Sequence, residues 1–178
     1  MVREIVKYPD PVLRKKARPV AEVTEEIREL IGDMLETMRA ASGVGLAAPQ
    51  VGISKRVIVW DVGDGPGALV NPKIVRTSGS QVGPEGCLSL PGLQGTVDRP
   101  DRVVVRGLNH DGEEVRISGE GLLARCLCHE IDHLDGCLFI DRADQNSLRW
   151  LDVSDTEEEL EDEALPLPEP LETAGHAG

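Results

Sequence analysis

No stretch of this 178-residue sequence is apolar for long enough to cross a membrane or to form the core of a secretion signal. Its first segment, MVREIVKYPDPVLRK, is broken by charge at Arg3, Glu4 and Lys7, so the expected location is cytoplasmic, with no membrane partner. Cysteine is scarce and confined to Cys87, Cys126, Cys128 and Cys137. In a chain without a secretion signal, such cysteines read as reduced thiols or metal ligands and not as a disulfide framework. A basic stripe is missing as well, which argues against direct binding of nucleic acid. Internal repeats are absent.

What is present suffices for one hydrophobic core. With 40% apolar residues the chain is long enough to bury one and too short for two full domains. The formal charge is −13, but residues 154–178 hold nine of the 32 acids and none of the 19 Lys and Arg, leaving the first 153 residues with 23 acids against 19 bases. The body is close to balanced and the acidity belongs to the tail. That tail also carries Pro166, Pro168 and Pro170. Such a composition cannot bury enough apolar surface to offset its ordering entropy, so the expected layout is a catalytic domain over 1–150 and a disordered tail over 151–178.

Periodicity places the elements. Ile27, Leu30, Ile31, Met34, Leu35 and Met38 share one face of a helix over 24–41, with Thr24 as N-cap and Glu25 and Glu26 in the first turn. SGVGLAAPQVG reads as a small-residue loop, followed by a strand at RVIVWDV. Short strands follow at ALVN, KIVRT, RVVVRGL and EVRIS, the last two joined by a turn at Asn109–Gly112. A second helix begins near Ser118 or Gly121, carries Leu122, Leu123, Cys126, Leu127, His129, Glu130 and His133, and stops by Gly136. The expected fold class is α+β: short, mainly antiparallel strands in small sheets around a buried second helix, with an amphipathic helix near the N-terminus.

The second helix carries His129-Glu130-Ile131-Asp132-His133, an HExxH pattern. Histidines four apart lie one above the other on a helix, so both rings can reach one ion, and the intervening Glu is placed to handle a proton of a water beside it. Two core histidines four residues apart by chance are the bland alternative. A catalytic site of this type needs a third protein ligand and an open position. The continuation HExxHxxGxxH matches as far as Gly136, but Phe139 occupies the place of its last His. A thermolysin-like Glu from a later helix has only the acidic tail to draw on. Cys126 and Cys137 lie on the histidine face, yet each is displaced by about another turn, roughly 5 Å, too far for a bond of about 2.3 Å. His110 in a turn and His176 in the tail read as solvated. Cys87 lies in Gly83-Pro84-Glu85-Gly86-Cys87-Leu88-Ser89, where glycines and a proline set a tight backbone able to present a thiolate beside free amides. A Cys-His-His site is the best-supported geometry.

Three segments, GVGLAAPQ (43–50), EGCLS (85–89) and HEIDHLDG (129–136), resemble in order and spacing the signature motifs of peptide deformylases, with similarity over roughly residues 2–145. The resemblance implies that Cys87, His129 and His133 bind the metal, usually Fe(II), with Ni, Co or Zn as substitutes. It implies Glu130 as general base and acid, and the Gln50 side chain and Leu88 backbone amide as oxyanion donors. Val44, Gly45 and Gly86 then align the substrate. The methionine side chain enters an apolar pocket of Val44, Leu122, Arg125, Cys126 and His129, with Arg125 lending its aliphatic stem. For Leu122 ordinary core packing is the competing reading.

The partners so implied are N-formylmethionyl peptides met close to the ribosome by a monomeric enzyme. Two positions depart from the commoner family pattern: Cys128, where Gln is frequent, and Gln94, where an aromatic or basic residue often stands. The tail departs further. Some bacterial members end in a basic helix that docks on the ribosome, whereas an acidic end is repelled by RNA phosphates. An HExxH metallopeptidase and a non-catalytic metal-binding homologue are the competing classes. The first is disfavoured by Phe139 and the EGCLS segment; the second predicts loss of Gln50, Cys87 or Glu130, and all three are present.

Overall fold

The computed structural model describes residues 1–151, so the expectation of a disordered tail, and His176 with it, lies outside the described residues. The first long element is helix α1 (Glu25–Ala40), whose N-terminal amides are capped where the Thr24 hydroxyl accepts from the Ile27 N–H at 3.3 Å. Its buried face is Ile27, Leu30, Ile31, Met34 and Met38. At about 1.5–3 kcal/mol for each fully buried large apolar side chain, this face stabilises the helix far more than its cap does. It packs on Leu46, Val57, Val59 and Val70 of the neighbouring sheet.

That sheet has five antiparallel strands, β1 (Gly45–Ala47), β2 (Val57–Trp60), β3 (Gly67–Ser78), β6 (Arg102–Leu108) and β7 (Glu114–Glu120), hydrogen-bonded in that order. β1 lies within the small-residue loop of the sequence reading: three residues pair with β2, and a 3-10 turn over Ala48–Val51 follows. ALVN and KIVRT form a single strand instead of two. The register shifts between Val70 and Lys73, where Asn71 takes a positive φ of 54°. The Asn71 side chain uses this bulge to accept from the Val20 N–H at 2.8 Å and donate to the Val20 carbonyl at 2.9 Å, tying the N-terminal segment to the sheet.

The strands of the second of the expected small sheets were not legible in the sequence. β4 (Gln81–Cys87), β5 (Leu90–Arg99) and β8 (Arg149–Trp150) pair in the order β4-β5-β8. The GPEGC run, expected as a tight loop, is therefore strand. Pro84 and two glycines are tolerated because β4 is an edge strand, whose outer side needs no ladder hydrogen bonds.

Helix α2 (Leu122–Leu134) runs between the two sheets. It starts after Gly121, at the later of the two expected positions; Ser118 belongs to β7. One side packs on Ile58, Leu69, Val103 and Val105, and ten of its thirteen residues are buried. A helix buried nearly all round must satisfy every polar group it carries, which makes its histidines, arginine and glutamate the informative ones. Gly136 ends it at φ 76°, and a Cβ there would lie 2.5 Å from the Arg14 carbonyl oxygen. No helix among the described residues is long and apolar enough to cross a membrane.

Candidate metal centre

β4 delivers Cys87 to the tip of the β4–β5 hairpin, and α2 delivers His129 and His133 one turn apart from the other side. One ligand atom from each lies within 4.8 Å of the other two. Cys87 Sγ is 3.4 Å from His133 Nε2, and the two imidazole centroids are 5.0 Å apart. Cys126 and Cys137 stay outside this triangle; the Cys126 thiol points to the Val44 carbonyl at 3.5 Å, and all four cysteines are free. Burial, with the neighbouring Glu130 charge, raises the Cys126 thiol well above its ordinary range. His110 is exposed, as expected for a turn.

The three residues fit a divalent cation. His129 Nδ1 lies 2.9 Å from Glu85 Oε1, so this ring edge is taken by a carboxylate and Nε2 is left for the centre. Burial disfavours the charged His129 ring, but hydrogen bonds to Cys87 and Glu85 outweigh it and raise its pKa well above the usual value. The surroundings thus call for positive charge at this spot. Burial, reinforced by the His129 charge, holds His133 well below the ordinary range and therefore neutral, the form in which imidazole binds metal.

Glu130 lies beside the triangle, 4% exposed, with Oε1 lacking any hydrogen-bond partner. Burial raises its pKa to about 7, against the opposing pull of His129. Its carboxylate lies against β1: a Cβ on Gly45 would sit 2.5 Å from Glu130 Oε2 and 2.8 Å from Cys126 Sγ, so position 45 has no room for a side chain. Gln50 is buried with its amide fixed at both ends. Oε1 accepts from the Ala47 N–H at 3.0 Å, while Nε2 donates to Ser89 Oγ at 3.2 Å and points to Cys87 Sγ at 3.5 Å. Leu88 and Ser89 form the turn between β4 and β5, with the Leu88 side chain against Gly43.

These groups open into a cleft of about 510 Å³. Gln50, Cys87, Leu88, His129 and Glu130 line it, as do Val44, Gly45, Gly86, Leu122, Arg125 and Cys126; His133 sits behind the wall. Leu122 is 54% exposed, so core packing does not account for it. Arg125 lines the cleft while its guanidinium turns inward, donating to Glu85 Oε2 at 2.6 Å and the Val97 carbonyl at 3.1 Å.

Glu85 is the residue that sequence reasoning missed. It accepts two hydrogen bonds from Arg99, at 2.8 and 2.9 Å, as well as those from Arg125 and His129. Burial alone would raise its pKa, yet the Arg99 and His129 contacts hold the carboxyl well below the usual range. Arg99 also reaches Asp132 at 2.7 Å, and Asp132 binds Arg142 at 2.6 Å, completing a chain of charges behind His129. One signal was available: Glu85 lies two residues before Cys87, on the same face of a strand. Phe139, standing where a metzincin carries its third histidine, is buried and stacks on His129 at 6.2 Å between centroids.

A profile of the polypeptide deformylase family matches residues 2–149. Peptide deformylase of Caldanaerobacter subterraneus subsp. tengcongensis is 54% identical over 156 residues, covering 88% of this chain and 96% of its own. That of Alkaliphilus metalliredigens is 59% identical over 141 residues, with 79% and 96% covered. Among solved structures, the Thermotoga maritima enzyme superposes with a TM-score of 0.79 at 46% identity, covering 81% of this chain and 99% of its own. A Synechococcus elongatus peptide deformylase in complex with actinonin gives 0.78 at 47% identity, with 80% and 79% covered. Identity at this level over nearly the whole described length places the chain in the peptide deformylase family, the metal-dependent hydrolases that remove the formyl group from formylmethionyl peptides.

Proposed function

We propose that the chain deformylates formylmethionyl peptides through one Fe(II) ion held by Cys87, His129 and His133, with residues 1–150 acting as one catalytic domain. The observation that carries this reading is the triangle of one sulfur and two imidazole nitrogens within 4.8 Å beside a buried carboxylate whose Oε1 has no partner. A divalent metal there supplies Lewis acidity, lowering the pKa of a nearby water and polarising the formyl carbonyl. A thiolate donor beside two imidazoles suits Fe(II), and Ni, Co or Zn can take the same place.

Glu130 takes the proton from the attacking water and passes it to the departing amine, a task suited to a carboxyl whose pKa is about 7. The tetrahedral oxyanion is met by Gln50 Nε2 and the Leu88 N–H, both in the wall beside Cys87. Because Ala47 and Ser89 lock the Gln50 amide, its donor needs no reorganisation during the reaction. Gly45 and Gly86 let the substrate backbone come close. The methionine side chain lies among Val44, Leu122, Cys126 and the ring of His129.

The enzyme works as a cytoplasmic monomer that meets nascent chains near the ribosome, and residues 154–178, with nine acids and no base, do not dock on its RNA. The deciding experiment measures formate released from formyl-Met-Ala-Ser and amine released from its unformylated twin by anaerobically prepared protein, with metal content determined on the same sample. Formate from the first and no cleavage of the second is the expected result; cleavage of the unformylated peptide would make the chain a peptidase.

A further inference from the structure

The cleft has an outer wall to which the chemistry above gives no task. β4 and β5 pair Cys87 with Leu90 and then Gly86 with Gln94, so Pro91, Gly92 and Leu93 are extra residues that bulge out of the ladder. The bulge lines the cleft. β8 pins it in place: Leu93 faces Trp150 and Gln94 faces Arg149 in the register. Arg149 donates to Gln94 Oε1 at 3.2 Å, and the Leu151 N–H donates to the Gly92 carbonyl at 2.5 Å. This pairing brings Leu151 into the lining of the cleft, where it is 39% exposed. Val44 and Leu122, from other elements of the same cleft, are 47% and 54% exposed. Large apolar side chains gathered at one opening mark a surface that is covered in use. Leu151 also lies beyond residues 2–149, the part matched to the family.

We propose that Leu151, with the bulge it is bonded to, determines specificity for the peptide downstream of the formyl-methionine, favouring apolar side chains two or three residues further on. The inference rests on reading the site as one for formylmethionyl peptides. Cys87 and Leu90 are cross-strand neighbours, about 5 Å apart, and Gly92 is two residues on, about 7 Å at the rise of a strand. An extended peptide covers such a span in two or three residues. The side chains that line the rim offer contact area and no exposed charge, because Glu85, Arg125, His129 and Glu130 are buried, the first two paired with each other, while Arg149 stands beside the rim with its guanidinium on Gln94 Oε1. A polar side chain there is desolvated without a partner.

The test compares kcat/KM for formate release by the full, metal-loaded chain on formyl-Met-Ala-Leu-Leu, formyl-Met-Ala-Ser-Ser and formyl-Met-Ala. The two longer peptides are equally uncharged in their side chains, so the chain's net charge of −13 does not separate them. The wild type is expected to prefer Leu-Leu over Ser-Ser by about five-fold or more. Leu151→Ser should lower kcat/KM for Leu-Leu by roughly three- to five-fold, mainly through KM, and leave the dipeptide within about two-fold. Leu151→Met should retain the preference. Equal use of both longer peptides by the wild type overturns the proposal, as does an equal loss on the dipeptide in Leu151→Ser, which would show a general disturbance of the site. No formate from any of the three peptides would instead overturn the deformylase reading beneath it.

Discussion

Gly45 lacks a side chain because Glu130 and Cys126 occupy the space that one would fill. A Cβ at 2.5 Å from Glu130 Oε2 and 2.8 Å from Cys126 Sγ displaces those side-chain ends, and with them the carboxylate from its place in the site. Gly45→Ala is therefore expected to lower kcat/KM for a formylated peptide by about a hundred-fold, the scale set by displacing a catalytic group by about an ångström. The measurement is steady-state formate release, and a variant within two-fold of the wild type would show that Glu130 has room to shift. Glu130→Gln keeps the shape of the site and removes the proposed proton carrier. It should bind the same metal content and lose activity by 10²-fold or more, on the order expected of a general base. Full activity in that variant would remove Glu130 from the mechanism. Both residues stood out in the sequence, because the HExxH spacing and the GVGLAAPQ segment are local patterns. What brings Gly45 against Glu130, 85 positions along the chain, is the packing of α2 on β1, which no local pattern encodes.

At the scale of elements, the β4–β5 hairpin and α2 are held together by charge as well as by apolar contact. Glu85 from β4 meets Arg99 from β5 and Arg125 and His129 from α2, all buried. Removing one member of such a cluster leaves its partners as uncompensated buried charges. Glu85→Gln is expected to lower unfolding stability by about 3 kcal/mol in urea titrations. It should also weaken metal binding by about 10- to 100-fold, because His129 loses the group that orients its ring. Unchanged values for both would assign the cluster no role in support of the site. The hairpin itself escaped sequence reading for a physical reason. Pro84, Gly83 and Gly86 signal a turn by local propensity, and only the position of β4 at a sheet edge makes them compatible with a strand. α1 was legible because its face repeats every three to four residues over four turns.

For the whole molecule, the metal is expected to connect activity and stability, since its proposed ligands come from both the hairpin and the central helix. Stripping it with a chelator should abolish formate release and lower the thermal midpoint, and adding Fe(II) or Ni(II) anaerobically should restore both. A ligand present at a hundred times its dissociation constant stabilises by about 2.7 kcal/mol, enough to be read in a melting curve. Iron-loaded protein should lose activity in air, through iron oxidation and attack on Cys87, while nickel-loaded protein persists. Equal lifetimes in air, with iron confirmed bound, would count against iron as the working metal. The sequence by itself pointed to the proposed helix ligands, the proposed proton carrier beside them and the cysteine that completes the proposed donor set, because catalytic chemistry demands particular residue types and a helix maps spacing directly onto a face. Only the tertiary structure decided that Glu85 orients toward His129, that Arg125 turns inward, and that β8 brings Leu151 to the cleft. Those contacts join residues about forty to sixty positions apart, and a pairing at that distance is chosen by which surfaces pack together, a property of the folded chain and not of any short segment of it.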